Sequence, residues 1–199
     1  MSAMEVVARA GREDVAFVYV ARTDRGRLVE FVESVQPPLR RHQKWVLIVS
    51  TLDGCPIGCR FCDAGGFFGG RLSAREIFDQ IDDLVRRRFP DGRVAVEKFK
   101  IQFARMGEPA LNPSVLDVLE ELPRAYDAPG LVISLSTVAP ASERRRVLRA
   151  ALGDQEEALR GAIPAPVLDP HDGWALENAA RSGQDLGFRE DGRIRARVP

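Results

Sequence analysis

The amino-acid sequence predicts an α/β fold: a partial (β/α) barrel of parallel strands, preceded by an N-terminal β-hairpin. Three strand-like apolar runs alternate with amphipathic helical patterns, which is typical of a parallel sheet with helices outside. The first of these runs, residues 44–50, is apolar at nearly every position, as in a strand buried on both faces. Two earlier apolar runs flank a turn that contains Asp and Gly, which indicates a hairpin.

The hairpin comprises residues 16–20 and 28–35, on either side of Thr23-Asp24-Arg25-Gly26. Residues 1–43 therefore form an N-terminal hairpin extension. Residues 44–152 form the core of the partial barrel. Residues 153–199 form a C-terminal segment with little periodicity, and its tail, residues 187–199, is expected to be loose.

Each predicted strand of the core is followed by a helix. Ser73 and Glu76 form a capping box at the start of the helix that follows strand 44–50. Asn112-Pro113 is an N-cap signal for the helix after the strand within residues 94–103. Strand 131–135 precedes a third helix at about residues 142–152.

Composition limits the classes of function. The chain has 199 residues, with 29 basic and 29 acidic, so its formal net charge is zero, which argues against nucleic acid as a partner. Arg86, Arg87 and Arg88 are expected to form a solvated helix face. No apolar run is long enough to span a membrane and no secretory signal starts the chain, so a cytoplasmic location with no membrane partner is expected.

All three cysteines lie within eight residues, in a C-x3-C-x2-C pattern formed by Cys55, Cys59 and Cys62. This spacing suits a metal better than a disulfide framework. Three thiolates hold three corners of a [4Fe–4S] cube and leave one iron open, whereas ordinary ferredoxin clusters take four cysteines. The loop follows a predicted strand, so it lies at the barrel face where active sites gather.

With Phe61 before the last cysteine, this motif resembles that of the radical S-adenosylmethionine (SAM) enzymes. The resemblance implies that the open iron binds the amino and carboxylate groups of SAM. It also implies that an electron cleaves SAM to a 5′-deoxyadenosyl radical, which abstracts hydrogen from a substrate. An external electron donor, flavodoxin- or ferredoxin-like, would then be a partner. The substrate and any catalytic side chain stay unassigned.

A second motif follows the second core strand. Residues 106–112 have the sequence M-G-E-P-A-L-N, which is similar to the Gly-Glu motif of the radical SAM methyltransferases that modify an adenine of ribosomal RNA. Residues 134–137, with the sequence S-L-S-T at the end of the third strand, are similar to the serine-bearing segment of the same branch. By this resemblance the SAM-binding residues are Gly107, Glu108 and Ser136.

The chain departs from that branch in two respects. Those methyltransferases use two further cysteines, one of which carries the transferred methyl group, and this sequence has none beyond the three of the loop. The family barrel has six strand–helix units, of which three are visible here. The chain is therefore expected to be a shortened or incomplete member, and the free sheet edge of such a barrel favours a homo-oligomer.

Three alternatives stay open beside a radical SAM enzyme of unknown substrate. One is a truncated or degenerate relative with a binding or regulatory role. Another is an RNA methyltransferase-like protein. The third is a zinc-binding module, in which His42 or Asp63 would be the fourth ligand.

Overall fold

The computed structural model describes residues 4–60, 62–138, 186–188 and 194–196. The chain divides into two compact units, Met1–Ala151 and Leu152–Pro199. The elements of the first unit, in chain order, are β1 (Glu5–Arg12), β2 (Ala16–Arg22), β3 (Leu28–Ser34), β4 (Lys44–Val49), β5 (Leu52–Gly54), β6 (Phe68–Arg71), α1 (Ala74–Arg88), β7 (Lys98–Phe103), a 3-10 helix (Pro109–Leu111), α2 (Ser114–Ala125) and β8 (Leu131–Leu135). Six of these strands form one sheet in the order β1-β2-β3-β4-β7-β8, and the two short strands β5 and β6 form a separate pair.

The parallel part of the sheet is β4-β7-β8. Ile48 pairs with Gln102, and Gln102 pairs with Ser134, so the three strands run side by side in one direction. Their carboxyl ends therefore meet at one edge. The prediction of three adjacent parallel strands is confirmed, while closure into a partial barrel stays a prediction.

The remaining strands of the sheet are antiparallel. β2 pairs with β3 across the turn 23–27, β3 pairs with β4, and β1 pairs with β2. The sequence analysis did not assign β1. It is an edge strand whose residues are almost all exposed, so it lacks the apolar pattern that marks the buried strands.

Helix α1 begins as the sequence predicts. The Ser73 side chain accepts a hydrogen bond from the Glu76 backbone N–H, and the Glu76 side chain reaches back to the Ser73 N–H. The predicted apolar stripe of α1 is buried, and it joins one core cluster with side chains of β4 and β7. Burial of each such side chain contributes about 1.5–3 kcal/mol. The stripe consists of Ile77, Ile81, Leu84 and Val85.

The expectation that all three arginines form a solvated helix face is wrong for Arg88, because a buried carboxylate draws it inward. Arg86 and Arg87 do pair with acidic residues one turn back on α1. Arg88 instead turns inward and donates two hydrogen bonds, of 2.6 and 2.8 Å, to Glu33 on β3. Glu33 is only 2% exposed, so its charge needs this partner, and it also accepts from Trp45.

The apolar run at residues 131–135 also predicts a buried strand, and this is wrong, since β8 is half-buried and Val132 is 41% exposed. It is the last strand of the sheet in the part of the chain that the structure describes. The predicted helix at 142–152 lies outside the described residues. None of the described helices is long and apolar enough to cross a membrane.

In the second unit, β9 (Leu186–Phe188) pairs antiparallel with β10 (Ile194–Ala196). The expectation of a loose tail is wrong for these residues. A signal for the pairing was present in the sequence, because Asp191-Gly192 between the two runs is a pair that favours tight hairpin turns.

Candidate functional site

The candidate site lies where β4 and β7 end. The Thr51 and Leu52 N–H groups both donate to the Met106 carbonyl, at 2.8 and 3.2 Å. In return, the Met106 N–H donates to the Ser50 hydroxyl at 3.1 Å. These bonds hold the segment after β7 directly against the segment that leads into the cysteine loop.

Gly107 has a structural reason to be glycine. Its φ is +96°, in the region that side chains rarely adopt, and a Cβ at this position would lie 2.4 Å from the Leu52 Cβ. The two strand-end segments can therefore touch only because Gly107 has no side chain. Through this contact Gly107 places Glu108 beside the cysteine loop.

The cysteine loop begins immediately after β5 and is closed by backbone bonds. The Cys55 N–H donates to the Phe67 carbonyl at 2.9 Å, and Cys55 also bridges Gly65. Within the loop, the Cys62 N–H donates to the Cys59 carbonyl at 3.1 Å. All three cysteines are free thiols, with Cys62 exposed and the other two half-buried, whereas Phe61 of the motif lies outside the described residues.

The short strands β5 and β6, which clasp the loop, were not predicted. Four glycines, at positions 65, 66, 69 and 70, follow the last cysteine, and by their sequence they indicate only a flexible or tightly turned stretch. Two of the glycines lie within β6, opposite β5. A Cβ on Gly69 would lie 2.1 Å from an Asp53 carboxylate oxygen, so the absence of side chains lets the two strands close together.

The thiols and Glu108 lie within electrostatic range of one another. Burial, followed by the charges of Cys55 and Cys62 and a smaller effect of Glu108, raises the pKa of the Cys59 thiol. Three thiols on one short loop, free of disulfides, match in type and number the donors of a [4Fe–4S] cluster with one open iron. The chemistry of the donor set therefore fits this group.

The arrangement argues against one form of the zinc alternative, in which His42 is the fourth ligand. In the described residues, no group of three or more His, Cys, Asp and Glu side chains, the three loop cysteines included, is placed to hold one metal ion. His42 precedes β4, and the cysteines follow it, so about 20 Å of strand separates them. His42 is thus at the wrong end of the strand to be a fourth ligand of the loop.

Glu108 is buried, at 5% exposed, and its carboxylate links two loops. Its Oε1 accepts from the Ala110 N–H at 2.9 Å, which caps the 3-10 helix, and from the Thr137 hydroxyl. Its Oε2 accepts from the Val138 N–H at 2.9 Å. Glu108 therefore ties the segment after β7 to the segment after β8.

Ser136 lies at the end of β8, next to that segment. Its N–H donates to the Phe103 carbonyl at 3.3 Å, and its hydroxyl accepts from the Gln102 side chain at 3.1 Å. The structure thus brings the cysteine loop, Glu108 and Ser136 to the carboxyl ends of three neighbouring strands.

One residue of the second motif has a role that sequence reasoning assigned only in part. Asn112 is 2% exposed, and its Oδ1 accepts from the N–H of Ser114, the first residue of α2, although Pro113 and not Asn112 is the N-cap residue. Its Nδ2 also donates to the carbonyls of Thr51 and Leu72, both at 2.7 Å. Asn112 thereby joins the start of α2 to both ends of the segment that carries the cysteines, a long-range contact with no local sequence signal.

Comparisons with known proteins were made for the whole chain, and no family model matches it. The chain is 36% identical over 109 residues to the dual-specificity RNA methyltransferase RlmN of Halorhodospira halophila, covering 54% of this chain and 28% of that protein. It is 32% identical over 168 residues to a probable RlmN of Parasynechococcus marenigrum, covering 82% of this chain and 46% of that protein. The chain is homologous to these RNA methyltransferases over the residues that align.

The chain spans less than half the length of the curated proteins it matches. The solved structure of a radical SAM methyltransferase from Sphaerobacter thermophilus aligns with a TM-score of 0.56 at 24% identity. The aligned region covers 71% of this chain and 41% of the solved chain, and this likeness supports the fold. The resemblance inferred from the cysteine and Gly-Glu motifs is confirmed.

Proposed function

We propose that this chain acts as a radical SAM enzyme on a substrate that is still to be identified. Cys55, Cys59 and Cys62 would hold a [4Fe–4S] cluster, and Gly107, Glu108 and Ser136 would bind SAM. The observation that carries the proposal is the contact between two strand-end segments, the one that carries Glu108 and the one that leads into the cysteine loop, which the Met106 bonds to Thr51 and Leu52 hold together.

When bound, the cluster supplies the single electron that cleaves SAM to methionine and a 5′-deoxyadenosyl radical. The chain's own residues bind and orient. Glu108 accepts a hydrogen bond from the SAM amino group, and its burial strengthens this charged contact. Exposed Cys62 leaves the loop accessible to an electron donor, for which a flavodoxin- or ferredoxin-like protein is the proposed partner.

Anaerobic reconstitution tests the cluster. The protein should bind about four iron and four sulfide per chain, with a broad absorbance shoulder that dithionite bleaches. Replacing any one of the three cysteines by Ala should abolish the colour, because two thiolates cannot hold the cube. A colourless protein with one zinc per chain would contradict the assignment.

Turnover tests the chemistry. With dithionite and SAM, the reconstituted protein should release 5′-deoxyadenosine, detected by liquid chromatography. Asp117, which is exposed on α2 and lies outside the proposed site, offers a matched control, since Asp117→Asn should keep the cluster and the product. A full cluster without SAM binding or cleavage would instead support a degenerate relative with a binding or regulatory role.

A second candidate is an RNA methyltransferase-like function, which the names of the relatives favour. The 199 residues contain no cysteine outside the cysteine loop. Methyl transfer by these residues would therefore have to proceed without a methyl-carrying cysteine. A mobility-shift titration with an adenine-containing ribosomal RNA hairpin checks this candidate. Binding that is no tighter than to a scrambled hairpin would remove it.

A further inference from the structure

The carboxylate of Glu108 is held by donors from two separate loops. Ala110, on its own loop, donates its backbone N–H to Oε1. Thr137 and Val138 follow β8, and they donate a hydroxyl to Oε1 and a backbone N–H to Oε2. The orientation of Glu108 therefore depends on a segment 29 and 30 residues away in the chain.

The number of bonds determines which oxygen can accept a further donor. A carboxylate has about four acceptor positions, two on each oxygen. Donors from the described residues occupy two positions on Oε1 of Glu108 and one on Oε2. An ammonium group arriving at this carboxylate would therefore bond to Oε2.

Thr137 is the one side chain among these donors, since Ala110 and Val138 use backbone N–H groups. Its residue is exposed whereas Glu108 is buried, so Thr137 covers the carboxylate from the solvent side. A hydrogen bond to a charged acceptor is stronger than one between neutral groups, so the hydroxyl restricts the rotation of Glu108. Without it, the glutamate can leave the orientation that presents Oε2.

We infer that Thr137 is a positioning residue that acts through Glu108 and aims its Oε2 at the ammonium group of SAM. The inference rests on the proposed function. It assigns a role to the residue that follows Ser136 in the serine-bearing segment, to which the sequence analysis gave none.

A double-mutant cycle tests this inference. The measured quantity is the dissociation constant of SAM, obtained by calorimetry on anaerobically reconstituted protein. Thr137→Val keeps the shape and removes the hydroxyl, and it should weaken SAM binding about fivefold. Thr137→Ser restores the donor and should bind within about twofold of wild type. In a Glu108→Gln background, Thr137→Val should change the affinity by less than about twofold, because its target is already altered.

Val132→Ala, at an exposed position on β8, is the control for general damage to the strand. Iron content and thermal unfolding are measured for every variant, and both should match wild type in the two Thr137 variants. Unchanged or tighter SAM binding by Thr137→Val, or an equal loss in the Glu108→Gln background, would overturn the inference alone. Absence of SAM binding by wild type with a full cluster would overturn the SAM part of the proposed function and this inference together.

Discussion

The side-chain amide of Gln80 pairs with both backbone groups of Ser50. Its Oε1 accepts from the Ser50 N–H at 2.9 Å, and its Nε2 donates to the Ser50 carbonyl at 3.0 Å. Both residues are fully buried. Helix α1 thus completes the hydrogen bonding of the chain as it leaves β4, one step before the residues that lead to the cysteine loop.

Gln80→Leu should lower the free energy of unfolding by about 2–4 kcal/mol, because it leaves two buried backbone groups without partners. Urea unfolding followed by fluorescence measures the change. Arg75→Ala is the control on the same helix, since Arg75 is 64% exposed, and it should change stability by less than about 0.5 kcal/mol. If the two variants unfolded at the same urea concentration, the Gln80 contact would not support the strand end.

Gly107→Ala should destabilise the protein by about 1–3 kcal/mol more than Gly26→Ala. Both glycines have positive φ, +96° and +75°, so both substitutions carry a similar backbone strain. Only Gly107 also meets a neighbour, the Leu52 side chain, whereas a Cβ on Gly26 meets nothing within 4 Å. Urea unfolding of the two variants gives the difference in stability that is due to the close contact between the two strand-end segments. Equal losses would show that these segments can move apart without cost.

The sequence predicted the parallel strands because each signal was local. Strand 44–50 is a continuous apolar run, and the Ser73–Glu76 capping box is a four-residue pattern, so both are legible without tertiary information. The cysteine spacing was legible for the same reason. What could not be predicted are contacts between distant residues, such as Gln80 with Ser50.

Two errors have the same physical origin. Arg88 stands in a run of three arginines that locally indicates a solvated face, yet the buried Glu33, 55 residues earlier, draws it inward. Strand β1 is an edge strand whose valines and alanines are mostly exposed, so its pairing with β2 and not its sequence pattern identifies it. Local patterns identify elements, whereas burial of a charge and pairing of an edge depend on the assembled sheet.

Glu33→Gln should lower the free energy of unfolding by about 3–5 kcal/mol at neutral pH, since it leaves buried arginine donors without their charged partner. Burial acts to raise the pKa of Glu33, but hydrogen bonds from Arg88 and Tyr19 and the charges of Arg88 and Arg41 outweigh it, so the pKa lies below its ordinary value. The stabilisation is therefore complete above the unfolded pKa of about 4.3 and is lost as pH falls through the folded value.

The measurement is urea unfolding of wild type and Glu33→Gln at a series of pH values. The difference between them should be constant above about pH 5.5 and should narrow only below about pH 4. Glu13→Gln, at a carboxylate that is 64% exposed and contacts the same arginines, should cost less than about 1 kcal/mol. A difference that grew as the pH fell would contradict the direction of the Glu33 shift.

Glu108→Gln should weaken SAM binding by roughly one to two powers of ten while the cluster stays intact. Gln keeps one oxygen that can accept from Ala110 and Thr137, but its NH₂ group replaces Oε2, where Val138 donates. The variant therefore loses the acceptor for the SAM amino group. Its NH₂ group also faces the Val138 N–H, so two donors meet without an acceptor.

Calorimetric titration of SAM into reconstituted protein measures the affinity, and iron content confirms the cluster. Glu30→Gln is a suitable control, because Glu30 is a half-exposed carboxylate paired with Arg105, which shortly precedes Glu108 in the chain. It should bind SAM as wild type does. Cys59→Ala should lose cluster and SAM binding together, so the two kinds of variant separate metal binding from SAM recognition. Equal SAM affinity in wild type and Glu108→Gln would remove Glu108 from the SAM site, and the conformation that Thr137 and Val138 impose on it would then serve only to join the two loops.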